Sequence, residues 1–249
     1  MITMKRVLTG IDGLDKLLHG GVPEDKNIAI CGGPGTGKTL ISFEFLLKGA
    51  QKGETGLFIS LQEDEKSVVS NARATFNDMS NEIQLMMDDE KILFYKPRTL
   101  DINELLSYVE KAVLEKNIKR VVIDSANVLK LNFKDKYTYR LTIQEFLIFL
   151  SNMNCTMMLN YEMSTSDRDK IKYGLEQFIA DGIINVYNLV RQEKRVRALE
   201  IIKMRGTEHE KDLVPFKITS RGIQVFVGEN VYWIIFRVQK VKVQKTVQI

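Results

Sequence analysis

Eight consecutive residues carry the densest chemistry in this chain: Gly32-Gly33-Pro34-Gly35-Thr36-Gly37-Lys38-Thr39. They match the GxxxxGK[ST] pattern of a Walker A loop. Glycines let successive backbone N–H groups turn inward around phosphate oxygens without a Cβ in the way. A helix that starts at Lys38 and runs on through Leu40 adds the positive end of its dipole to the same anion. Lys38 has the reach for the β- and γ-phosphates, and the Thr39 hydroxyl is a hard oxygen ligand for Mg²⁺. The acidic partner that Mg²⁺ needs is offered by Val121-Val122-Ile123-Asp124, three apolar residues ending in a carboxylate. Asp124 could also serve as a turn or cap residue, since Ser125 and Asn127 follow it. Together these residues predict a bound nucleoside triphosphate.

The loop works only if strands and helices hold it, and the chain supplies both. Apolar, β-branched runs occur at residues 28–31, 56–61, 91–95, 120–124, 155–161 and 182–187. Helical patterns lie between them. Across residues 101–117, Ile102, Leu105, Leu106, Val109 and Val113 recur on one face, and Asp101 with Glu104 three residues on reads as a helix start. Residues 40–52 and 138–153 read as two more helices. Strand-then-helix alternation requires crossovers, hence a mostly parallel sheet covered on both faces. After residue 182 strands follow one another at 196–204, 215–219 and 223–227, which predicts an antiparallel C-terminal extension. Residues 1–228 are read as one domain and 229–249 as a basic, β-prone tail. In that tail Val241, Val243, Val247 and Ile249 alternate with polar residues, and Arg237, Lys240, Lys242 and Lys245 could meet an acidic partner.

Composition narrows the class. The 249 residues are 44% apolar and 27% charged, with net charge +4. That is an ordinary globular balance, without the strong positive field of a dedicated nucleic-acid coat protein. Cys31 and Cys155 both fall in strand-like apolar runs and are expected to be buried, reduced thiols. With His19 and His209 as the only histidines, no zinc-ligand spacing exists. No run reaches the ~18 apolar residues of a membrane span, so a cytoplasmic protein is expected.

Beyond the loop, several segments carry a family resemblance. Thr9-Gly10-Ile11-Asp12-Gly13-Leu14-Asp15 with Leu17-Leu18-His19-Gly20-Gly21-Val22-Pro23 resembles the opening signature of RecA-superfamily ATPases, in particular the single-domain KaiC-like branch. The strand ending Ser60-Leu61-Gln62-Glu63 resembles that family's strand with paired glutamates. Tyr173-Gly174-Leu175-Glu176-Gln177-Phe178-Ile179-Ala180-Asp181-Gly182 and Lys203-Met204-Arg205-Gly206-Thr207-Glu208-His209 resemble two further segments. The match runs from about residue 6 to 227. It implies a RecA-like P-loop fold, ATP with Mg²⁺, and a homo-oligomeric ring, usually a hexamer. It also implies that Lys203 and Arg205 reach the γ-phosphate held by the adjacent subunit, with His209 near that nucleotide's sugar or base. Read without the resemblance, Lys203 and Arg205 would be snorkelling cations on a sheet edge.

Two departures shape the expectation. Gln62 stands where the family's catalytic base stands, and an amide cannot accept a proton at neutral pH. Slow hydrolysis follows, with Glu63 taking over or Gln62 only orienting water. The stretch Glu176-Gln177-Phe178 has no hydroxyl where the clock member of the family phosphorylates itself, so clock-type autophosphorylation is not expected. Two other functions remain open. A recombinase paralog would bind single-stranded DNA through residues 130–140, rich in lysine and aromatics, or 164–172. A non-hydrolysing nucleotide sensor would act on an unknown protein partner.

Overall fold

A computed structural model describes residues 4–165, 171–191, 194–229 and 231. The first elements are β1 (Arg6–Val7), α1 (Leu14–Leu17), β2 (Val22–Pro23), β3 (Asn27–Gly32), α2 (Lys38–Ala50), β4 (Thr55–Ser60), α3 (Glu65–Thr75) and α4 (Ser80–Asp88). They are followed by β5 (Ile92–Tyr95), α5 (Ile102–Lys116), β6 (Ile118–Asp124), α6 (Lys136–Asn152), β7 (Thr156–Glu162) and α7 (Leu175–Ile179). The last are β8 (Gly182–Arg191), β9 (Lys194–Met204), β10 (Val214–Thr219) and β11 (Gly222–Val225). Short 3-10 segments lie at Asn77–Met79 and Ala126–Asn132.

Nine strands form one sheet in the order β11-β10-β9-β8-β3-β7-β6-β4-β5. The six strands from β8 to β5 in that order pair in parallel, and β8-β9, β9-β10 and β10-β11 pair antiparallel. This is the α/β architecture expected, a parallel sheet with an antiparallel C-terminal extension. Its inner strands read as continuous apolar runs because both faces are covered. Alternate residues feed the two sides. Ile28 and Ile30 join a core with Ile41 and Phe45 of α2, Val68 of α3 and Ile83 of α4. Ala29 and Cys31 join the opposite core with Val109 of α5 and Phe146 of α6. The thiols of Cys31 and Cys155 are free and buried, as expected.

Side-chain caps set the helix starts away from the loop. Asp64, Asp101 and Asp135 accept from the backbone N–H of Ser67, Asn103 and Thr138, each about one turn on. The opening signature is an anchor. Asp15 accepts from Thr9 N, Thr9 Oγ1 and Gly10 N, and Asp12 O accepts from Val225 N, which ties the N-terminal segment to β11. Strand β9 holds one irregularity: Lys203 pairs with Ile183 and Ile201 with Ile184, leaving Ile202 as an extra residue, a β-bulge. The expected tail strand at 229–249 lies outside the described residues apart from Glu229 and Val231, as does 166–170 of the expected loop 164–172.

Candidate functional site

The loop sits at the carboxyl end of β3, which is flanked in parallel by β7 and β8. Carboxyl ends of parallel strands open onto the ligand crevice of such sheets. The loop's tightness has local causes. A Cβ on Gly32 would come within 2.6 Å of Val186 O, so only glycine lets β3 run so close to β8 here. Gly37 holds φ 103°, a left-handed turn that points the chain into α2. Thr36, buried, closes the loop by donating to Gly33 O at 2.8 Å.

What remains open at this turn is an anion site. Helix α2 has no side-chain cap and no acid in its first turn, so its leading N–H groups are unclaimed by side chains. Lys38 folds back along the loop, its Nζ donating to Gly32 O at 3.0 Å and Gly33 O at 3.1 Å. Burial lowers its pKa, opposed by the carboxylates of Glu162 and Asp124. Beside it Thr39 Oγ1 donates to Asp124 Oδ2 at 2.6 Å, which brings together the two residues read as Mg²⁺ ligands. Asp124 is pushed above the usual carboxylate range by burial, against the Thr39 hydroxyl, the Asn160 side chain and the Lys38 charge, which favour the anion. Two hard oxygens in contact at the base of a phosphate loop suit Mg²⁺, which takes one or two protein oxygens and completes its shell with phosphates and water. Among the described residues no group of three His, Cys, Asp or Glu offers an alternative metal cage.

A cleft of about 390 Å³ opens over the loop. Pro34, Gly35, Gly37, Lys38, Thr39 and Leu40 line it together with Glu63, Glu162 and Arg197. Leu40, Phe43, Val68, Ala72 and Ile218 give it an apolar flank. Of the paired residues at the end of β4, Glu63 faces the cleft, and its carboxylate accepts from Ser67 Oγ at 2.6 Å. Gln62 is exposed and is not among the lining residues; its carbonyl accepts from Lys96 Nζ at 2.9 Å.

Lys203, Arg205 and His209 do not line the cleft of their own chain. The Lys203 ammonium donates to Phe178 O at 3.2 Å and Ala180 O at 2.5 Å, and Arg205 Nη2 to Phe178 O at 3.1 Å. Both cations therefore close the carboxyl end of α7, where unpaired carbonyls and the negative dipole end favour them. Burial and Arg205 lower the Lys203 pKa, and Asp181 opposes them. His209 Nδ1 lies 2.8 Å from Glu210 O.

Three participants escaped the sequence reading. Arg197 on β9 lines the cleft and donates to Gly35 O at 3.3 Å. It was one basic residue among several, with no signal to single it out. Glu162, at the end of β7, is held by Asn127, which accepts from its backbone N–H at 2.6 Å and donates to its carbonyl at 3.1 Å. Asn160 on β7 is fully buried and accepts from Ser42 Oγ of α2 at 2.7 Å. A lone amide inside the apolar run 155–161 was the legible trace of that one.

Comparison with known proteins agrees with this geometry. Residues 7–230 match the family described as "ATPase: KaiC". A UPF0273 protein of Thermotoga maritima is 34% identical over 243 residues, covering 91% of this chain and 98% of that protein. The circadian clock oscillator protein KaiC of Acaryochloris marina is 29% identical over 236 residues, and that of Synechococcus elongatus 28% identical over 232. Each of those two alignments takes in about nine-tenths of this chain, and this chain spans 44% of the length of each clock protein. A match of this extent, over a P-loop whose threonine already meets its partner aspartate, places the chain in the KaiC ATPase family, RecA-superfamily ATPases of the P-loop type.

Proposed function

We propose that the chain binds Mg-ATP in the cleft over residues 32–40 and hydrolyses it slowly, as a cytoplasmic homo-oligomer of regulatory role. One observation carries this reading: Lys38, Thr39 and Asp124 are already assembled around an uncapped helix N-terminus. The backbone N–H groups of the loop and α2 bind the phosphates, and Lys38 exchanges its hold on Gly32 O and Gly33 O for β- and γ-phosphate oxygens. Mg²⁺ held through Thr39 and Asp124 would neutralise charge on the phosphates. Leu40, Val68 and Ile218 give the base a carbon surface to lie on. Arg197 adds a second cation from the same chain. Glu63 accepts the proton of the attacking water at a carboxylate oxygen, in place of the adjacent Gln62.

Lys203 and Arg205 are assigned to the neighbouring subunit's γ-phosphate, and His209 to its sugar or base. Their absence from the lining of their own chain's cleft supports that division. A cation supplied across an interface ties phosphoryl transfer to assembly. The nucleotide-sensor alternative differs in one respect only, the absence of turnover.

The test measures binding of a fluorescent ATP analogue and phosphate release on the same preparation. Lys38→Ala is expected to weaken binding by a hundredfold or more, about 3 kcal/mol of lost charge-assisted contact. Glu63→Gln is expected to keep binding and lose at least tenfold in turnover. Equal turnover by Glu63→Gln would overturn the assignment of the base, and no turnover in the unmodified chain would favour the sensor.

A further inference from the structure

Strand β7 ends on Glu162, which stands beside Gly32 in the parallel ladder with β3. The main chain fixes it there. Asn127 accepts from its N–H and donates to its carbonyl, and the N–H of the following Met163 donates to Gly32 O at 3.2 Å. The same Gly32 carbonyl accepts from Lys38 Nζ. The Glu162 side chain is exposed and lines the cleft over the loop.

Glu63, Asp124 and Glu162 all bring carboxylates to this loop, but they are not held alike. Asp124 accepts from Thr39 Oγ1 and Glu63 from Ser67 Oγ. Among the described residues no hydrogen bond or ion pair holds the carboxylate of Glu162. Its influence falls on Lys38 instead. Burial lowers the Lys38 pKa, and of the charges that oppose this, Glu162 comes ahead of Asp124. Glu162 is therefore the leading counter-charge of the cation that a phosphate must recruit.

Diphosphate and triphosphate differ at this point. The N–H groups of such a loop cradle the inner phosphates, and a γ-phosphate adds its charge on the side that the loop lysine serves. Specificity is a difference of affinities, and a placed repulsive charge builds it as well as a contact does. A carboxylate on a pinned backbone, with no donor of its own to satisfy, is such a charge.

We propose that Glu162 sets the choice between nucleoside di- and triphosphate, its carboxylate opposing the γ-phosphate and so weighting the site toward the diphosphate. This rests on the nucleotide reading of the cleft. Lys38 exchanges Glu162 for phosphate oxygens when either nucleotide binds, but only the triphosphate sets a further anion beside the carboxylate. Cleavage of the γ-phosphate relieves that repulsion, so the charge that loosens ATP also helps the freed phosphate leave.

The experiment measures affinities of the full chain by competition against a fluorescent ADP analogue in the presence of Mg²⁺. The competitors are ADP and β,γ-methylene-ATP, which is not hydrolysed. Glu162→Gln should tighten the triphosphate about tenfold and ADP about twofold, moving their ratio about fivefold toward the triphosphate. Glu162→Asp keeps the charge and should stay nearer the parent's ratio. Glu110→Gln, exposed on α5 and outside the cleft lining, removes the same net charge and should leave both affinities unchanged. The fold should be kept, because the Glu162 backbone and not its carboxylate makes the hydrogen bonds. An unchanged ratio in Glu162→Gln would overturn the proposal, and with a loss of turnover it would make Glu162 a proton acceptor instead. Weaker binding of both nucleotides by Glu162→Gln would also overturn it, since the carboxylate would then support the phosphates. A parent chain that binds neither nucleotide would overturn the nucleotide reading itself, and this assignment with it.

Discussion

At the scale of single residues, Asp124 shows how a carboxylate beside the P-loop is held in a buried place. A buried carboxylate is expensive unless something compensates, and here the Thr39 hydroxyl, the Asn160 side chain and Lys38 do so. Asp124→Asn keeps the volume and removes the anion. The expected outcome is near-normal affinity for the ATP analogue without Mg²⁺ and at least a tenfold loss of the Mg²⁺-dependent part, read by titrating metal at fixed nucleotide. Equal Mg²⁺ response in the variant would remove Asp124 from the metal's reach. Gln62 is a second residue-scale test. Its exposure and its place outside the cleft lining predict a smaller effect for Gln62→Glu than for Glu63→Gln. A several-fold gain in turnover is expected if the added carboxylate shares the base role, and phosphate release at saturating ATP measures it.

At the scale of elements, helix α2, which leaves the P-loop, is tied to the far edge of the sheet by a buried acid. Glu44 of α2 is 2% exposed, and its Oε2 accepts from Ile223 N at 2.7 Å in β11. Burial raises its pKa from 4.5 to about 7; the Ile223 hydrogen bond and Lys48 oppose the rise, and Asp12 adds to it. The folded chain therefore keeps a proton that the unfolded chain releases. The associated stability is present below pH 4.5 and is lost as pH climbs to about 7, a change of about 3 kcal/mol. Glu44→Gln keeps an oxygen for Ile223 and removes the charge. Its thermal midpoint should rise relative to the parent at pH 8 and match it near pH 4.5; a lower midpoint at pH 8 would show that the ionised carboxylate is needed. Most elements were legible because their patterns are local. The strand expected at 28–31 is Asn27–Gly32, the one at 120–124 is Ile118–Asp124, and the helix expected over 101–117 is Ile102–Lys116 between its Asp101 and Asn117 caps. The hairpin β8–β9 runs longer than its apolar runs at 182–187 and 196–204, since cross-strand pairing carries polar residues such as Asn188 and Arg195 along. Strand β11 stops at Val225, before the expected 227. The site was legible where chemistry sits in consecutive residues, as in the loop. It was not legible at Arg197 or Glu162, which meet the loop only through the sheet's order.

At the scale of the whole molecule, the proposed division of labour between subunits can be tested without a structure of the assembly. Arg205→Ala should retain ATP-analogue binding and lose turnover, and Lys38→Ala should lose both. Mixing the two inactive variants should restore a measurable fraction of phosphate release, because an intact loop can then meet an intact cation across an interface. No recovery after subunit exchange, confirmed by light scattering, would return Lys203 and Arg205 to their intrachain role at the end of α7. Among the described residues no helix is long and apolar enough to cross a membrane.

The extra residue in β9 sets how one strand serves two clients. Leu199 and Ile201 share parity with Arg197 and pack in the core beneath α2, on the ATP loop's side. In an unbroken pleat Lys203 would point the same way, six positions on from Arg197. Ile202 puts the pleat out of phase, so Met204 joins that core instead and Lys203 emerges on the side of α7. The strand is a single stiff rod whose two ends are addressed to opposite faces by one inserted residue. Deleting Ile202 would turn the bulge into an unbroken ladder and leave Lys203 opposite Ile183 and Met204 in its core, whereas pairing Ile202 as an ordinary strand residue would swing Lys203 toward the P-loop of its own chain and eject Met204.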